Sequence, residues 1–276
     1  MAKFTNYSLE FDQVGTDYID CGQDSSILRT GPFTFSMWLH KQDAWLAWQS
    51  IMGADSYNAG TAPAEDTGWL LWLFSGNTNL YFGKPNGAFN NAVNYPVTSL
   101  PSGWFYLTVT YDGTANGEMF VNGVSVNSAQ ICDPALPIAY DPSIRFFIGG
   151  RNDNAGGPPV ATPVFGGGMS DIAMWDTVLD QPTIASLYNS GKPNDLSLAA
   201  SYTTGGGTDS TSNLCAWWRM DEATFDGTDW TILDKSSNSN DGTSSSMGIE
   251  ARVGNAPDSI NNGVTVDMEE ADRIAP

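Results

Sequence analysis

Along most of this chain, short runs that alternate apolar and polar residues are closed off by glycine or asparagine. Alternation at a period of two puts every second side chain on one face of a strand, a pattern that a helix does not use. In Phe33-Thr-Phe-Ser-Met-Trp-Leu-His it places Phe33, Phe35, Met37 and Leu39 on one side. Tyr7-Ser-Leu-Glu-Phe-Asp and Asp17-Tyr-Ile-Asp-Cys-Gly repeat it around a Gly15-Thr16 turn and are expected to pair as two strands. Further runs are Trp69-Leu-Leu-Trp-Leu-Phe, Asn79-Leu-Tyr-Phe-Gly, Trp104-Phe-Tyr-Leu-Thr-Val-Thr-Tyr, Ile144-Arg-Phe-Phe-Ile-Gly-Gly and Gly168-Met-Ser-Asp-Ile-Ala-Met-Trp. Asn122-Gly123, between Met119-Phe-Val and Val124-Ser-Val, is the signal of a type I′ hairpin, because both central positions of that turn need positive φ. Strands at short intervals joined by tight turns predict an all-β fold, a two-sheet antiparallel sandwich.

One helix interrupts the pattern. In Asp180-Gln-Pro-Thr-Ile-Ala-Ser-Leu-Tyr-Asn-Ser-Gly, Asp180 can cap the N-terminus and Pro182 suits the first turn. Ile184, Leu187 and Tyr188 share a face, and Gly191 suits the stop. A helix this short is expected to dock on the sandwich. After Pro193 a Gly, Ser and Thr-rich stretch over 199–213 reads as a flexible loop, and strand character resumes at Leu214.

Charge narrows the function classes. The 276 residues hold 11 Lys plus Arg against 31 Asp plus Glu, a formal net charge of -20. Without a basic cluster the chain lacks the electrostatic footprint that neutralises phosphates, so nucleic acid and anionic membrane are unfavourable partners. No run approaches the roughly 18 apolar residues of a membrane span. The start, Met1-Ala-Lys-Phe-Thr-Asn-Tyr-Ser, has no signal-peptide core, so a product made and kept soluble in the cytosol is expected. Cys21, Cys132 and Cys215 are odd in number and far apart, and buried thiols are the expectation.

At this point the residues resemble the concanavalin A-like jelly rolls, in particular laminin-G-like and pentraxin-like domains. Phe147-Ile-Gly-Gly-Arg-Asn-Asp-Asn-Ala-Gly-Gly, Gly167-Gly-Met-Ser-Asp-Ile-Ala-Met-Trp-Asp and Ile184-Ala-Ser-Leu-Tyr are similar to the pentraxin succession of strand, calcium loop, strand and short helix. Trp104-Phe-Tyr-Leu-Thr-Val-Thr-Tyr-Asp-Gly and Phe120-Val-Asn-Gly-Val resemble a laminin-G-like hairpin, and the likeness covers residues 8–191. Ala216-Trp-Trp-Arg-Met-Asp-Glu, followed by Leu233-Asp-Lys-Ser-Ser-Asn-Ser-Asn-Asp-Gly-Thr, resembles the opening strands of such domains but comes last here. That order implies a circularly permuted jelly roll: a core at 1–198, the loop at 199–213, strands at 214–250 that complete the sandwich, and a C-terminal arm at 251–276 that docks on a partner.

The resemblance also sets up site residues. In the pentraxin-like alignment Asp153 keeps a calcium ligand position and Asp66 or Asp55 could supply another, but Arg151 stands where the family has a ligand Glu, and Val160 replaces a further acid. A second candidate for calcium is Asp234, Asn238, Asn240 and Asp241, which concentrate oxygens and are equally read as an Asx-turn loop. No cofactor is required by this reading. Related glucanases carry Glu-x-Asp-x-x-Glu. The nearest match, Glu10-Phe-Asp-Gln-Val-Gly, lacks the second Glu, and the lone His40 has no partners for a nucleophile system, so the chain is not expected to be an enzyme. Of ten Trp, Trp38, Trp104, Trp175 and one of Trp217 and Trp218 are expected in the core. Trp45, Trp48 and Trp69 flank the irregular stretch 40–68 and are the candidates for an exposed carbohydrate-binding platform, with Tyr57 and Trp230 as weaker ones.

Two functions fit. The Ala-Trp-Trp-Arg-Met-Asp segment, the Ser-Asn-Ser-Asn-Asp-Gly-Thr turn and the terminal Asn262-Gly-Val-Thr-Val-Asp-Met-Glu-Glu-Ala-Asp-Arg-Ile resemble proteins of tailed phages. That implies a virion structural protein, a capsid decoration or a tail or fibre component. It would be assembled in the host cytoplasm, homo-oligomeric, in contact with capsid or tail proteins and free to bind host-surface glycans. The alternative is a secreted cellular lectin-like module.

Overall fold

The computed structural model describes residues 5–13, 16–41, 49–56, 67–73, 78–84, 91–152 and 165–257. The strands are β1 (Ser8–Phe11), β2 (Tyr18–Asp20), β3 (Phe33–Lys41), β4 (Ser50–Ser56), β5 (Thr67–Leu73) and β6 (Asn79–Gly83). They continue with β7 (Val93–Pro96), β8 (Phe105–Tyr111), β9 (Asn116–Val121), β10 (Val124–Gln130), β11 (Phe147–Ile148) and β12 (Gly167–Trp175). Two helices, α1 (Gln181–Tyr188) and α2 (Ala200–Thr203), lead to β13 (Leu214–Trp218), β14 (Thr224–Phe225), β15 (Trp230–Ile232), β16 (Gly242–Ser245) and β17 (Arg252–Val253).

All ladders are antiparallel, and they build two sheets. The first has the order β10-β9-β8-β3-β12-β1-β17, with β13 also on β12. The second has the order β14-β15-β16-β2-β11-β4-β5-β6-β7. Their inner faces close one core. Phe33, Phe35, Met37 and Leu39 enter it from β3, facing Trp69, Leu71 and Leu73 of β5 and Leu80 and Phe82 of β6. Phe35 and Trp69 stack at 4.8 Å with 15° between planes, and Phe146 and Trp218 at 5.5 Å and 19°. Such aromatic pairs add about 0.5–1.5 kcal/mol each beyond area burial. The outward side chains of the first sheet, Trp38, Tyr106, Phe120, Trp175 and Trp217, form a second apolar layer. They are covered by Ile184, Leu187, Leu196 and Tyr202.

Local chemistry explains the connections. Asn122 and Gly123 have φ of 52° and 78°, the positive pair that the β9–β10 hairpin requires. The Asp180 side chain accepts from the Thr183 N–H at 2.6 Å, capping α1, and Asn189 at φ 48° ends it. Cys21, Cys132 and Cys215 are buried free thiols. No helix among the described residues is long and apolar enough to cross a membrane.

Three expectations are corrected. β1 and β2 do not pair: β1 lies between β12 and β17 in the first sheet, β2 between β11 and β16 in the second. Both alternate because each faces the same core, Leu9 from one side and Ile19 from the other. The stretch 199–213, mostly exposed, carries helix α2 and is anchored through Tyr202. Tyr202 is fully buried, donates to the Leu196 carbonyl at 2.9 Å and accepts from the Trp175 indole at 3.2 Å. A lone tyrosine in a Gly and Ser-rich run gives no periodic signal, so it is invisible as an anchor. Finally, residues 251–257 belong to the sandwich: β17 pairs with β1, and Ala251 and Ala256 are buried.

The strands after 213 complete both sheets. Along one edge of β12, β1 pairs with Gly167–Met169 and β13 with Ile172–Trp175, so the two lie end to end. At the junction Asp171 has φ 45° and the register shifts between Ser170 and Ala173. Across the core, β16 pairs with β2 and carries β15 and β14.

Candidate ligand face

The outer face of the second sheet follows from strand alternation. Since Ile19, Met52, Leu71 and Ile148 point into the core, their neighbours Asp20, Gly53, Leu70 and Phe147 point out, and the ladders align these four in one row. Gly83 extends the row beyond Leu70. A Cβ on Gly83 would lie 2.6 Å from the Asn91 carbonyl oxygen, so the chain at 91–92 closes over that strand only because the position has no side chain.

Beside this row stand Trp72 and Tyr81, directly opposite each other across β5 and β6. Their rings stack at 5.6 Å and 24°, and with Leu70 and Ala92 they form an apolar cluster separate from the core. Trp72 is buried and Tyr81 half-buried. A stacked pair directly opposite in an antiparallel ladder is a rigid feature, worth roughly 0.2–1 kcal/mol to the sheet.

The other half of the face is ionic. Arg145 Nε lies 2.8 Å from Asp20 Oδ2 across the β11–β2 boundary. Arg151 Nη2 pairs with Asp55 Oδ2, and the Asp55 side chain is fully buried. Asn152 holds the turn after β11 back over the sheet. Its Oδ1 accepts from the Arg145 N–H at 2.9 Å, and its Nδ2 donates to the Arg145 carbonyl at 2.7 Å. Phe147 sits between the two pairs, with its ring edge-on to Tyr18 at 5.4 Å.

The sequence-predicted candidates fall elsewhere. Trp69 is fully buried, stacked on Phe35 and edge-on to Phe82 and Phe146, so it is core and offers no face to a sugar. The run Trp69-Leu-Leu-Trp-Leu-Phe is apolar throughout, and alternation could not tell which Trp points outward. Trp230 is also core, its indole N–H donating to the Gly248 carbonyl at 2.9 Å. Trp217 and Trp218 are both buried, in the outer and inner layers respectively. Trp45, Trp48, Tyr57, Asp66 and Asp153 lie outside the described residues.

The Asp234 loop is brought together, but by hydrogen bonds. Asp234 Oδ1 accepts from the N–H groups of Trp217 and Ser236, both at 2.8 Å. Oδ2 accepts from Ser236 Oγ at 2.9 Å and the Asn240 N–H at 2.8 Å. Asp241 Oδ1 accepts from the Asp234 N–H at 2.9 Å, and Asn238 Nδ2 donates to the Cys215 carbonyl at 2.9 Å. These residues tie β13 to β16 as an Asx-turn loop. Among the described residues no three His, Cys, Asp or Glu side chains gather where they could hold a metal ion.

The residue opposite Glu10 across β12 is Gly168, which carries no carboxylate. His40 is half-buried at the end of β3 with its ring 5.3 Å from that of Trp104, and burial lowers its pKa. The sequence reading missed Trp72, Tyr81 and the Arg145–Asp20 pair. Tyr81 was within reach of it, since Leu80 and Phe82 on either side alternate into the core.

A comparison with curated proteins finds no match to this chain. Among solved structures, the fold is similar to that of a proposed carbohydrate binding protein from Bacteroides ovatus, with TM-score 0.57 and 18% identity over 87% of this chain, which spans 58% of that protein's length. A heptameric SAP-like pentraxin from Limulus polyphemus gives 0.48 and 14%, covering 68% of this chain and 84% of its own. The CBM40 of a Ruminococcus gnavus IT-sialidase, solved with alpha2,3 sialyllactose, gives 0.47 and 14%, covering 66% and 95%. A family profile of laminin G type, described as the concanavalin A-like lectin/glucanases superfamily, matches residues 13–185, more than half of the chain. With its two antiparallel sheets around one aromatic core, the chain belongs to that superfamily.

Proposed function

We propose that this chain is a non-enzymatic glycan-binding domain, displayed on a tailed-phage particle as a capsid decoration or a tail or fibre component. The observation that carries the binding half is the half-buried ring of Tyr81, backed by the buried Trp72 on the outer face of the second sheet. An aromatic ring held rigidly on a face that also carries ionic groups suits a pyranose, whose C–H face packs on a ring while its hydroxyls seek hydrogen bonds. The sequence candidates Trp45, Trp48 and Tyr57 belong to segments that adjoin β4, a strand of this sheet.

Electrostatics support a partner that is not a polyanion. Arg145, Arg151, Arg219, Lys235 and Arg252 are each engaged within the chain, by Asp20, Asp55, Asp171, Glu222 and the Tyr7 ring respectively. The excess carboxylates therefore set the sign of the surface, which keeps densely displayed copies soluble. Many copies on one particle raise weak glycan contacts into useful avidity by effective concentration. The virion half rests on the likeness of the Ala216–Glu222 segment and the terminal 262–274 segment to phage proteins.

The test has two arms. On a glycan array the purified chain should retain at least one glycan, and Tyr81→Ala should lose it with little change in melting temperature; a chain that retains none ends the binding half. Mass spectrometry of purified particles should find the chain in many copies. The fold likeness to a proposed carbohydrate binding protein of Bacteroides ovatus favours a second reading, a cellular lectin-like module. Glycan binding by a chain found in culture medium and never in particles would select that reading.

A further inference from the structure

The likeness of the 147–157 stretch to a pentraxin calcium loop implies a divalent cation on the outer face of the second sheet, and the described residues there do not fit one. Asp55, the buried carboxylate at the end of β4, has Arg151 Nη2 on its Oδ2, and the Arg151 side chain is only 17% exposed. One strand over, Arg145 Nε lies against Asp20 at 2.8 Å. Asn152, an oxygen donor among the described residues of the turn, has its amide oxygen on the Arg145 N–H. A dication brought to Asp55 would meet the positive charge of a guanidinium that is fixed by the fold.

We infer that Arg151 is a cation built into the chain that takes the place calcium holds in pentraxin-like domains, so this face keeps its shape without metal. The Arg151–Asp55 pair does what a bridging ion would do. It ties the turn after β11 to the end of β4, two segments 96 positions apart in sequence. Removing Arg151 leaves the fully buried Asp55 carboxylate without its matching charge, which destabilises the fold.

Thermal unfolding of the full chain, in EDTA and in millimolar calcium chloride, tests this. The unaltered chain should melt at one temperature in both. Arg151→Glu sets a second carboxylate beside Asp55, so its melting temperature should fall in EDTA and recover in calcium. Arg151→Gln, which is the safer variant to fold, should melt lower than the unaltered chain and by the same amount in both buffers. An unaltered chain that melts higher in calcium, with the rise lost in Asp55→Asn, would overturn the inference. So would Arg151→Gln melting with the unaltered chain in EDTA.

Discussion

Asp171 Oδ1 and Arg219 Nε lie 3.7 Å apart where β1 and β13 meet end to end along β12. Asp171 also accepts from Thr5 Oγ1 at 2.8 Å and Ser170 Oγ at 2.9 Å, while Arg219 is paired with Asp221 and Glu222. Asp221 Oδ1 in turn accepts from the N–H groups of Asn6 and Tyr7 at 2.8 and 2.9 Å. The residues before β1 are thereby fastened to those after β13, so the ladder along β12 passes from one segment to the other. Arg219→Met leaves Asp171 as an unmatched buried charge and should cost about 3–5 kcal/mol in urea unfolding. A loss well under 1 kcal/mol would mean that the junction holds without the pair.

The same buried carboxylate has a pH signature. Burial raises the pKa of Asp171 above its ordinary value, more than Thr5, Arg219 and Ser170 bring it down. A raised native pKa means that the folded state binds the proton more readily than the unfolded one. The cost of the buried charge is therefore present at neutral pH and relieved as pH falls through the native value. Asp171→Asn keeps an acceptor and a side chain that tolerates positive φ. Its stability, followed from pH 7 towards 4, should lose ground to the unaltered chain as pH falls; a constant gap would show that the charge costs nothing.

Asp180 works in the opposite direction. Burial raises its pKa, but hydrogen bonds from Thr208 and Thr183 outweigh it and the net shift is downward. A lowered native pKa gives stability that is present above the unfolded value and lost as pH falls through the native one. Asp180→Ala removes the cap of α1 and the 2.7 Å bond from Thr208 Oγ1 that holds the stretch after α2. A cap is worth about 1 kcal/mol and a hydrogen bond to a charged group roughly 1.5 kcal/mol, so a loss of about 2.5 kcal/mol at pH 7 is expected. That loss should shrink in strong acid.

What could be read from the sequence was what depends on neighbours along the chain. The Phe33–Leu39 alternation, the Asn122-Gly123 turn and the Asp180 cap are local rules, and each is met in the fold. Which sheet a strand joins depends instead on distant partners: β1 and β2 have the same pattern but are hydrogen-bonded in different sheets. Trp69 and Trp72 fail for a related reason. In a wholly apolar run the face is set by the register against β4 and β6, which the run itself does not encode. The arginines of the ligand face pair with Asp20 and Asp55, more than ninety positions away, and no local spacing announces them.

The two tryptophans of β5 should accordingly behave differently. Trp69→Ala empties a site packed by Phe33, Phe35, Phe82 and Phe146 and should cost about 3–5 kcal/mol. Tyr81→Ala, across from Trp72 on the outer face, should cost under about 1 kcal/mol, since the ring is half-buried and stacks in a cross-strand pair outside the core. Equal losses in denaturant titrations would mean that the outer cluster is a second core and not a surface feature.

The last prediction separates the arm from the sandwich. Removing 251–276 takes away β17 with its ladder to β1, and with it three hydrogen bonds made by side chains: Asn255 accepts from Ser8 Oγ at 2.5 Å and from the Trp104 indole at 3.1 Å, and Arg252 donates to the Asp221 carbonyl at 3.1 Å. Arg252 also lies 4.1 Å above the Tyr7 ring. At about 1 kcal/mol per hydrogen bond, that truncation should cost roughly 3 kcal/mol. Removing only 258–276 touches none of these contacts and should leave unfolding unchanged. If the proposed docking role is right, both truncations lose attachment to the particle, but only the longer one loses stability. A 258–276 truncation that still assembles on particles would move the attachment surface onto the folded domain, where the β1–β17 edge of the first sheet is the next candidate.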